Sequence, residues 1–149
     1  MPDKATLAAA RRDKRQGKSA STQAGEFVHE EIEHIRHGKH GARSTKQAIA
    51  IGLSKARRAG VKLPAPKKGV SAQTRKSAEN ALREGRTHHK PSAKRSRAME
   101  KTLKREPKSV ASHSALSKQA KSAARKRSAS SRHNAAVKAA KTRKRSAES

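Results

Sequence analysis

One apolar stretch, residues 26–63, constrains this chain most, because the sequence around it is polar and strongly basic. Large apolar side chains elsewhere are scattered singly, so only this stretch can bury a continuous apolar face. We therefore expect the folded core of the protein here. The predicted core residues are Phe27, Val28, Ile32, Ile35, Ile49 and Leu53.

The first half of this stretch predicts a helix from about residue 26 to residue 37. Val28, Ile32 and Ile35 recur at helical spacing and form one stripe. Gly38 is suited to end the helix. The glutamates at the start of the stretch are expected near the helix N-terminus, where the helix dipole favours anions.

The second half predicts another helix, which begins at Ser44 and stops at Gly60 after a glycine-rich turn. Ser44 and Gln47 match the capping-box pattern, in which the serine caps the backbone and the glutamine reaches back. Gly52 lies in the helix interior, where glycine costs about 1 kcal/mol relative to alanine. A close crossing of the two helices would explain it, as would chance.

Composition argues against order in the rest of the chain. Hydrophobic residues make up 31% of the 149 residues, and the formal net charge is +28. Such a chain buries too little apolar surface to offset the entropy of ordering its backbone, roughly 1–2 kcal/mol per residue. The predicted fold is therefore all-α, a short helical hairpin with long basic arms that are largely disordered or nascent-helical.

Three segments follow from this division. Residues 1–25 form a basic N-terminal arm that ends in a linker at 16–25, residues 26–63 form the hairpin, and residues 64–149 form a Lys/Arg/Ala/Ser-rich tail. Within the tail, 71–84, 92–106, 112–126 and 134–144 have good helix propensity but few large apolar residues. We expect nascent helices there, because short isolated helices are marginal in water.

The excess of positive charge predicts a polyanionic partner, most simply nucleic acid. Residues 61–149 carry 26 Lys and Arg against five acidic residues. The candidate phosphate-binding residues are Lys46, Lys55, Arg57, Arg58, Lys67, Lys68, Arg75, Lys76, Lys94, Arg95, Arg97, Lys104, Arg105, Arg125, Lys126, Arg127, Arg143, Lys144 and Arg145.

Duplex DNA is the expected partner, bound largely without sequence preference. Recognition of single strands relies on stacking against aromatic side chains, and the one Phe, Tyr or Trp in the chain is Phe27. The predicted function is that of a histone-like, nucleoid-associated protein, with self-association through the hairpin as a further expectation. An alternative is an adaptor whose hairpin binds a protein partner while the tail anchors it to RNA or the ribosome.

Four histidines, His29, His34, His37 and His40, lie within twelve residues beside several glutamates. Pairs at i, i+4 spacing could ligate zinc. Exposed helix-favouring Glu–His pairs explain the same pattern, so no metal and no cofactor are predicted. A response to pH near 6 is the favoured interpretation of the histidines.

No enzymatic activity and no catalytic residue are expected. Aspartate occurs only at Asp3 and Asp13, and the chain has no Cys, Tyr or Trp. The N-terminus has no apolar segment of signal-peptide length, and no apolar run approaches the roughly 20 residues that span a bilayer. The expected location is therefore cytoplasmic and nucleoid-associated, with no membrane partner.

The sequence at 42–60, ARSTKQAIAIGLSKARRAG, resembles a family of small basic bacterial proteins of uncharacterised function. Those proteins carry a similar Lys-Gln-Ala-Ile-Ala-Ile-Ala/Gly-Leu-Ser motif after a Glu-rich helix and a Gly/Lys turn. The likeness covers roughly residues 26–60, and Gly52 stands where alanine is common in that family. It implies a bacterial or phage origin. The Ala/Lys/Ser-rich tail resembles in composition the tails of bacterial linker-histone-like proteins.

Overall fold

Helices make up most of the described chain. A computed structural model describes residues 2–67, 69–87 and 92–148. These residues form a 3-10 helix, Ser109–Ala111, and seven α-helices: α1 Lys4–Arg15, α2 Ala20–Arg36, α3 Thr45–Arg58, α4 Ala72–Thr87, α5 Ala93–Lys104, α6 His113–Arg125 and α7 Ala129–Ala147. The predicted fold of a short hairpin with long, largely disordered arms is wrong.

The chain divides into two units, residues 1–112 and 113–149. In the first unit, α2 and α3 form the most extensive helix pair, α1 packs against α2, and α4 packs against α3. The 3-10 helix contacts both α2 and α3. The hairpin is therefore covered by segments on both sides of it in the sequence. None of the described helices is long and apolar enough to cross a membrane.

The helix boundaries in the hairpin follow local signals, with one exception. Ser44 caps α3 by accepting a hydrogen bond from the Gln47 backbone N–H, as predicted, while the Gln47 side chain accepts one from the backbone N–H of Arg43. Helix α2 begins at Ala20, six residues before the predicted start, because Ser19 accepts a hydrogen bond from the Thr22 N–H and caps it. The predicted linker at 16–25 is therefore partly helix, and the glutamates of α2 lie beyond its first turn.

Small residues, mainly alanines, pack the helices against one another, which the low content of large apolar residues did not predict. Phe27 is fully buried, and the buried residues around it are Ala10 of α1, Ala24 of α2, Ala56 of α3 and Val61. Alanine has little apolar surface, but it allows backbones to approach closely, so many contacts form without large side chains. Ala78 and Ala81 of α4 are buried in the same way.

Of the other predicted core residues, Ile32 and Ile35 are buried, while Val28, Ile49 and Leu53 are half-buried. Leu53 packs directly against the buried cluster that contains Phe27. The predicted apolar stripes of the two hairpin helices therefore face the inside of the first unit.

Backbone contacts attach residues 103–111 to the turn of the hairpin. The N–H of Gly41 donates to the Leu103 carbonyl at 2.8 Å, and the N–H of Ala42 donates to the Pro107 carbonyl at 3.1 Å. Thr45 and Arg36 donate side-chain hydrogen bonds to the carbonyls of Val110 and Ala111. This part of the predicted tail is held by these hydrogen bonds together with the burial of Ala111.

The α2–α3 crossing explains the glycine within α3. A Cβ atom added at Gly52 would lie 2.7 Å from Val28 Cα and 3.0 Å from the Phe27 carbonyl oxygen. Gly25 of α2 is a matched contrast, since a Cβ added there would meet nothing within 4 Å. Of the two explanations for Gly52, the structure supports the close crossing, which depends on the missing side chain at this position.

These two glycines should respond oppositely to alanine. Gly25→Ala should stabilise the protein by up to about 1 kcal/mol through helix propensity. Gly52→Ala should destabilise it by about 1–3 kcal/mol, because the backbone of α2 must move away. Urea unfolding followed by circular dichroism measures both changes. Equal stabilisation by the two substitutions would contradict the crossing.

Candidate nucleic-acid interface

Most of the predicted phosphate-binding side chains are exposed. They occur at both ends of α3, in the loop before α4, on α4 to α7, and just after α5 and α6. The exposed members are Lys46, Arg58, Lys67, Arg75, Lys76, Lys94, Arg95, Arg97, Lys104, Arg105, Arg125, Lys126, Arg127, Arg143, Lys144 and Arg145. Lys68 lies outside the described residues.

Two predicted members near the end of α3 pair with carboxylates. The Lys55 ammonium lies 2.6 Å from Glu31 Oε2, and its side chain is 22% exposed. Arg58 Nε donates a hydrogen bond to Glu84 Oε2 at 2.7 Å, although both side chains remain about half exposed. Lys55 therefore neutralises buried carboxylates, whereas the Arg58 side chain remains accessible to solvent and to a bound phosphate.

Arg57, a third predicted member, is buried. Its guanidinium donates hydrogen bonds to the carbonyl oxygens of Leu63 and Pro64, each at 3.2 Å. Burial removes water from the charged group and lowers the pKa of Arg57 below its usual value. The geometry assigns Arg57 the role of holding the chain that leaves α3.

Helix α5 presents a shallow basic recess. Arg97, Lys101 and Lys104 line it together with Glu100 and Arg105. Lys104 forms an ion pair with Glu100 at 2.9 Å, and the hydrogen bond and charge of this lysine lower the pKa of the Glu100 carboxyl. The recess carries one acidic group among four basic ones.

The second unit, residues 113–149, is basic throughout. It contains eleven Lys and Arg against one acidic residue, Glu148. All eleven side chains are exposed, and no described side chain of α6 or α7 is buried. A single carboxylate can neutralise few of these charges, so the unit presents a high density of positive charge to solvent.

Sequence reasoning missed several exposed lysines that share faces with the predicted residues. Lys118 and Lys121 line a shallow recess on α6 with Arg125 and Lys126. Lys101 does the same on α5. These lysines are spaced i, i+3, i+4 or i+7 from predicted residues. Because residues so spaced lie on one helix face, the sequence could have predicted them.

The burial of part of the predicted histidine and glutamate cluster was also missed. Glu31 is fully buried and Glu30 is 6% exposed, beside the partly buried rings of His34 and His40. His29 and His37, from the same sequence cluster, are exposed. The i, i+4 pairing of Glu30 with His34 was visible in the sequence, but the approach of His40 depends on the turn after α2.

Comparison with known proteins gives one family match. Residues 11–68 match the model of a family described as "Family of unknown function (DUF6496)". No curated protein and no solved structure matches the chain. The match includes α2 and α3, and it agrees with the expectation of an uncharacterised family for that segment.

Proposed function

We propose that this protein binds duplex DNA largely without sequence preference, by neutralising backbone phosphates, as a histone-like protein of the bacterial nucleoid. The observation that carries the proposal is the second unit, where eleven exposed Lys and Arg accompany one acidic residue and no side chain of the described helices is buried. Contact with a polyanion releases the counterions that such a surface would otherwise hold.

Duplex rather than single-stranded nucleic acid is favoured by the lack of stacking platforms. Phe27 is the one Phe, Tyr or Trp of the chain, and it is fully buried in the first unit. Single-strand binders stack bases on exposed aromatic rings. Lys and Arg on helices reach phosphates without reading base edges, so little discrimination between sequences is expected.

The first unit has a packed core and further basic helices, and it exposes few large apolar residues. Its large apolar residues are mostly inside, and the large apolar side chains exposed in the described chain are Val70, Met99 and Val137. These three lie far apart in the sequence and on separate elements. Single exposed apolar residues are ordinary, so we favour nucleic-acid binding over the protein-binding adaptor. The proposed role is binding, not catalysis.

A salt titration tests the proposal. Full-length protein is titrated onto fluorescent duplex DNA of arbitrary sequence at several salt concentrations, with a matched duplex RNA beside it. The expected result is a log–log slope of about −0.9 per phosphate contact, steeper than about −5 in total. Affinities for unrelated DNA sequences should agree within a few-fold.

Three outcomes would count against this function. A slope shallower than about −2 would mean that few phosphates are contacted. A preference of more than about tenfold for one DNA sequence would require base readout. Clearly tighter binding of duplex RNA would move the proposal to an RNA partner.

A further inference from the structure

The buried acids and histidines of the first unit form a compact group of metal-ligating atoms. One ligand atom each from Glu31, His34 and His40 lies within 4.8 Å of the others. The group joins α2, which carries Glu31 and His34, to the turn that carries His40. Ligands of tetrahedral zinc lie about 3.3 Å apart for zinc–ligand distances of about 2.0–2.1 Å. A contraction of about 1 Å would therefore complete a zinc site.

The hydrogen bonding of His40 leaves its other nitrogen facing a carboxylate. His40 Nδ1 lies 3.0 Å from the Gly41 carbonyl oxygen, which can only accept, so Nδ1 carries a proton. His40 Nε2 lies 3.3 Å from Glu31 Oε1. In a neutral ring Nε2 offers a lone pair, so two acceptors face one another. A cation bound between Nε2 and Oε1, or a second proton on the ring, would remove the repulsion between these two acceptors.

Glu31 itself is a buried carboxylate with incomplete hydrogen bonding. Its side chain is fully buried, and Oε1 has no hydrogen-bond partner. The Lys55 ammonium pairs with Oε2 at 2.6 Å, which leaves Oε1 facing His40. A buried carboxylate is costly unless its charge and lone pairs are satisfied. Oε1 is therefore the oxygen available to a metal.

The surrounding charges favour a divalent cation. Asp3 Oδ2 lies 3.3 Å from His34 Nε2, and Glu30 Oε1 lies 3.9 Å from His34 Nδ1. The Lys55 ammonium pairs with Glu30 and Glu31, so these two carboxylates and that of Asp3 carry three negative charges beside one positive charge. With neutral imidazoles two negative charges remain, and one divalent ion balances them. Carboxylates behind a metal-binding histidine also orient its ring.

We propose that Glu31, His34 and His40 bind one zinc ion. Two imidazoles and one carboxylate are a known zinc ligand set, and imidazole ligands favour zinc over magnesium or calcium. The ion would fasten the turn at residues 37–43 to α2. Because residues 103–107 are hydrogen-bonded to this turn, zinc would stabilise their attachment as well.

Zinc affinity is measured on the full-length protein by competition with a chromophoric chelator near pH 7.5, where histidine is mostly neutral. One zinc per chain is expected. The double variant His34→Gln/His40→Gln should lose more than about tenfold in affinity, since even changes behind a ligand cost that much. The matched control, His29→Gln/His37→Gln, should bind within about twofold of the unchanged protein, because both of its histidines are exposed.

Equal weakening in the two double variants would identify surface chelation and overturn the site, as would the absence of saturable binding. A second measurement needs no substitution. Zinc should shift the imidazole nitrogen resonances of His34 and His40 in NMR spectra and leave those of His29 and His37 in place. If His34 and His40 instead carry protons on both nitrogens with zinc present, protons satisfy the cluster and the proposal fails.

Discussion

Replacing Phe27 by alanine should lower the free energy of unfolding of the first unit by about 3–5 kcal/mol. Phe27 is fully buried, and its buried neighbours are mainly alanines of α1, α2 and α3. Alanine side chains cannot extend into the space that the ring leaves, so the cavity would persist. The loss is large beside the total stability of a typical domain, about 5–15 kcal/mol.

Urea unfolding followed by circular dichroism measures this effect. The midpoint should fall by more than about 1 M, given a denaturant slope of about 1–3 kcal/mol/M. Phe27→Leu should lose much less, because it retains most of the buried volume. Met99→Ala is the control, since Met99 is 57% exposed on α5. If Phe27→Ala and Met99→Ala shift the midpoint equally, the core is wrongly placed.

Removing six positive charges from the second unit should weaken DNA binding more than a hundredfold near 0.1 M salt. The substitutions to glutamine are at Arg125, Lys126, Arg127, Arg143, Lys144 and Arg145. Each lost phosphate contact lowers the steepness of the log–log salt dependence by about 0.9, hence by up to about 5 in all. Glutamine has nearly the helix propensity of lysine and arginine, so α6 and α7 should persist.

The control exchanges Lys for Arg and Arg for Lys at the same six positions, which preserves the charge. Its affinity and salt dependence should match those of the unchanged protein, because phosphate neutralisation depends mainly on charge. An unchanged slope in the glutamine variant would place the binding surface on the first unit. A large loss in the charge-preserving variant would indicate specific bidentate contacts by arginine.

Local capping and turn signals predicted the boundaries of α3 well. Ser44 and Gln47 fixed the start of α3, and Gly60 marked its end. Helix α2 was harder, because the Ser/Thr/Ala run after Ser19 looks like a linker, although Ser19 caps the helix. The glutamates that suggested a helix start therefore lie well inside α2, and two of them are buried.

The covering of the hairpin could not be read from large apolar residues. Buried alanines of α1 and α4 do the packing, and a Cβ atom added at Gly85 of α4 would overlap the Arg57 carbonyl oxygen. The attachment of residues 103–107 uses backbone hydrogen bonds from Gly41 and Ala42, which have no side-chain signature. Composition alone therefore suggested disordered arms at α1 and α4, where the structure has helices packed against the hairpin.

The candidate site likewise depends on tertiary contacts that local sequence patterns do not specify. Exposed cations on helix faces followed from spacing. The partial burial of Lys55 depends on Glu31 of α2, which is distant in sequence, and Arg57 is held by carbonyl oxygens just beyond the end of α3. The placement of His40 beside Glu31 requires the turn that the Lys39 N–H closes on the His34 carbonyl at 2.9 Å. Local periodicity does not specify such a turn, so this histidine cluster was taken for exposed Glu–His pairs.

No described side chain of α6 or α7 is buried, and this has an evolutionary consequence. Selection on the first unit must preserve side-chain shape at positions such as Phe27 and Gly52, where neighbouring atoms leave no room for change. Selection on residues 113–149 would act chiefly on the number of positive charges and on helix propensity. Sequences there could diverge while retaining the proposed binding role, so ancestry would be recorded mainly in the first unit.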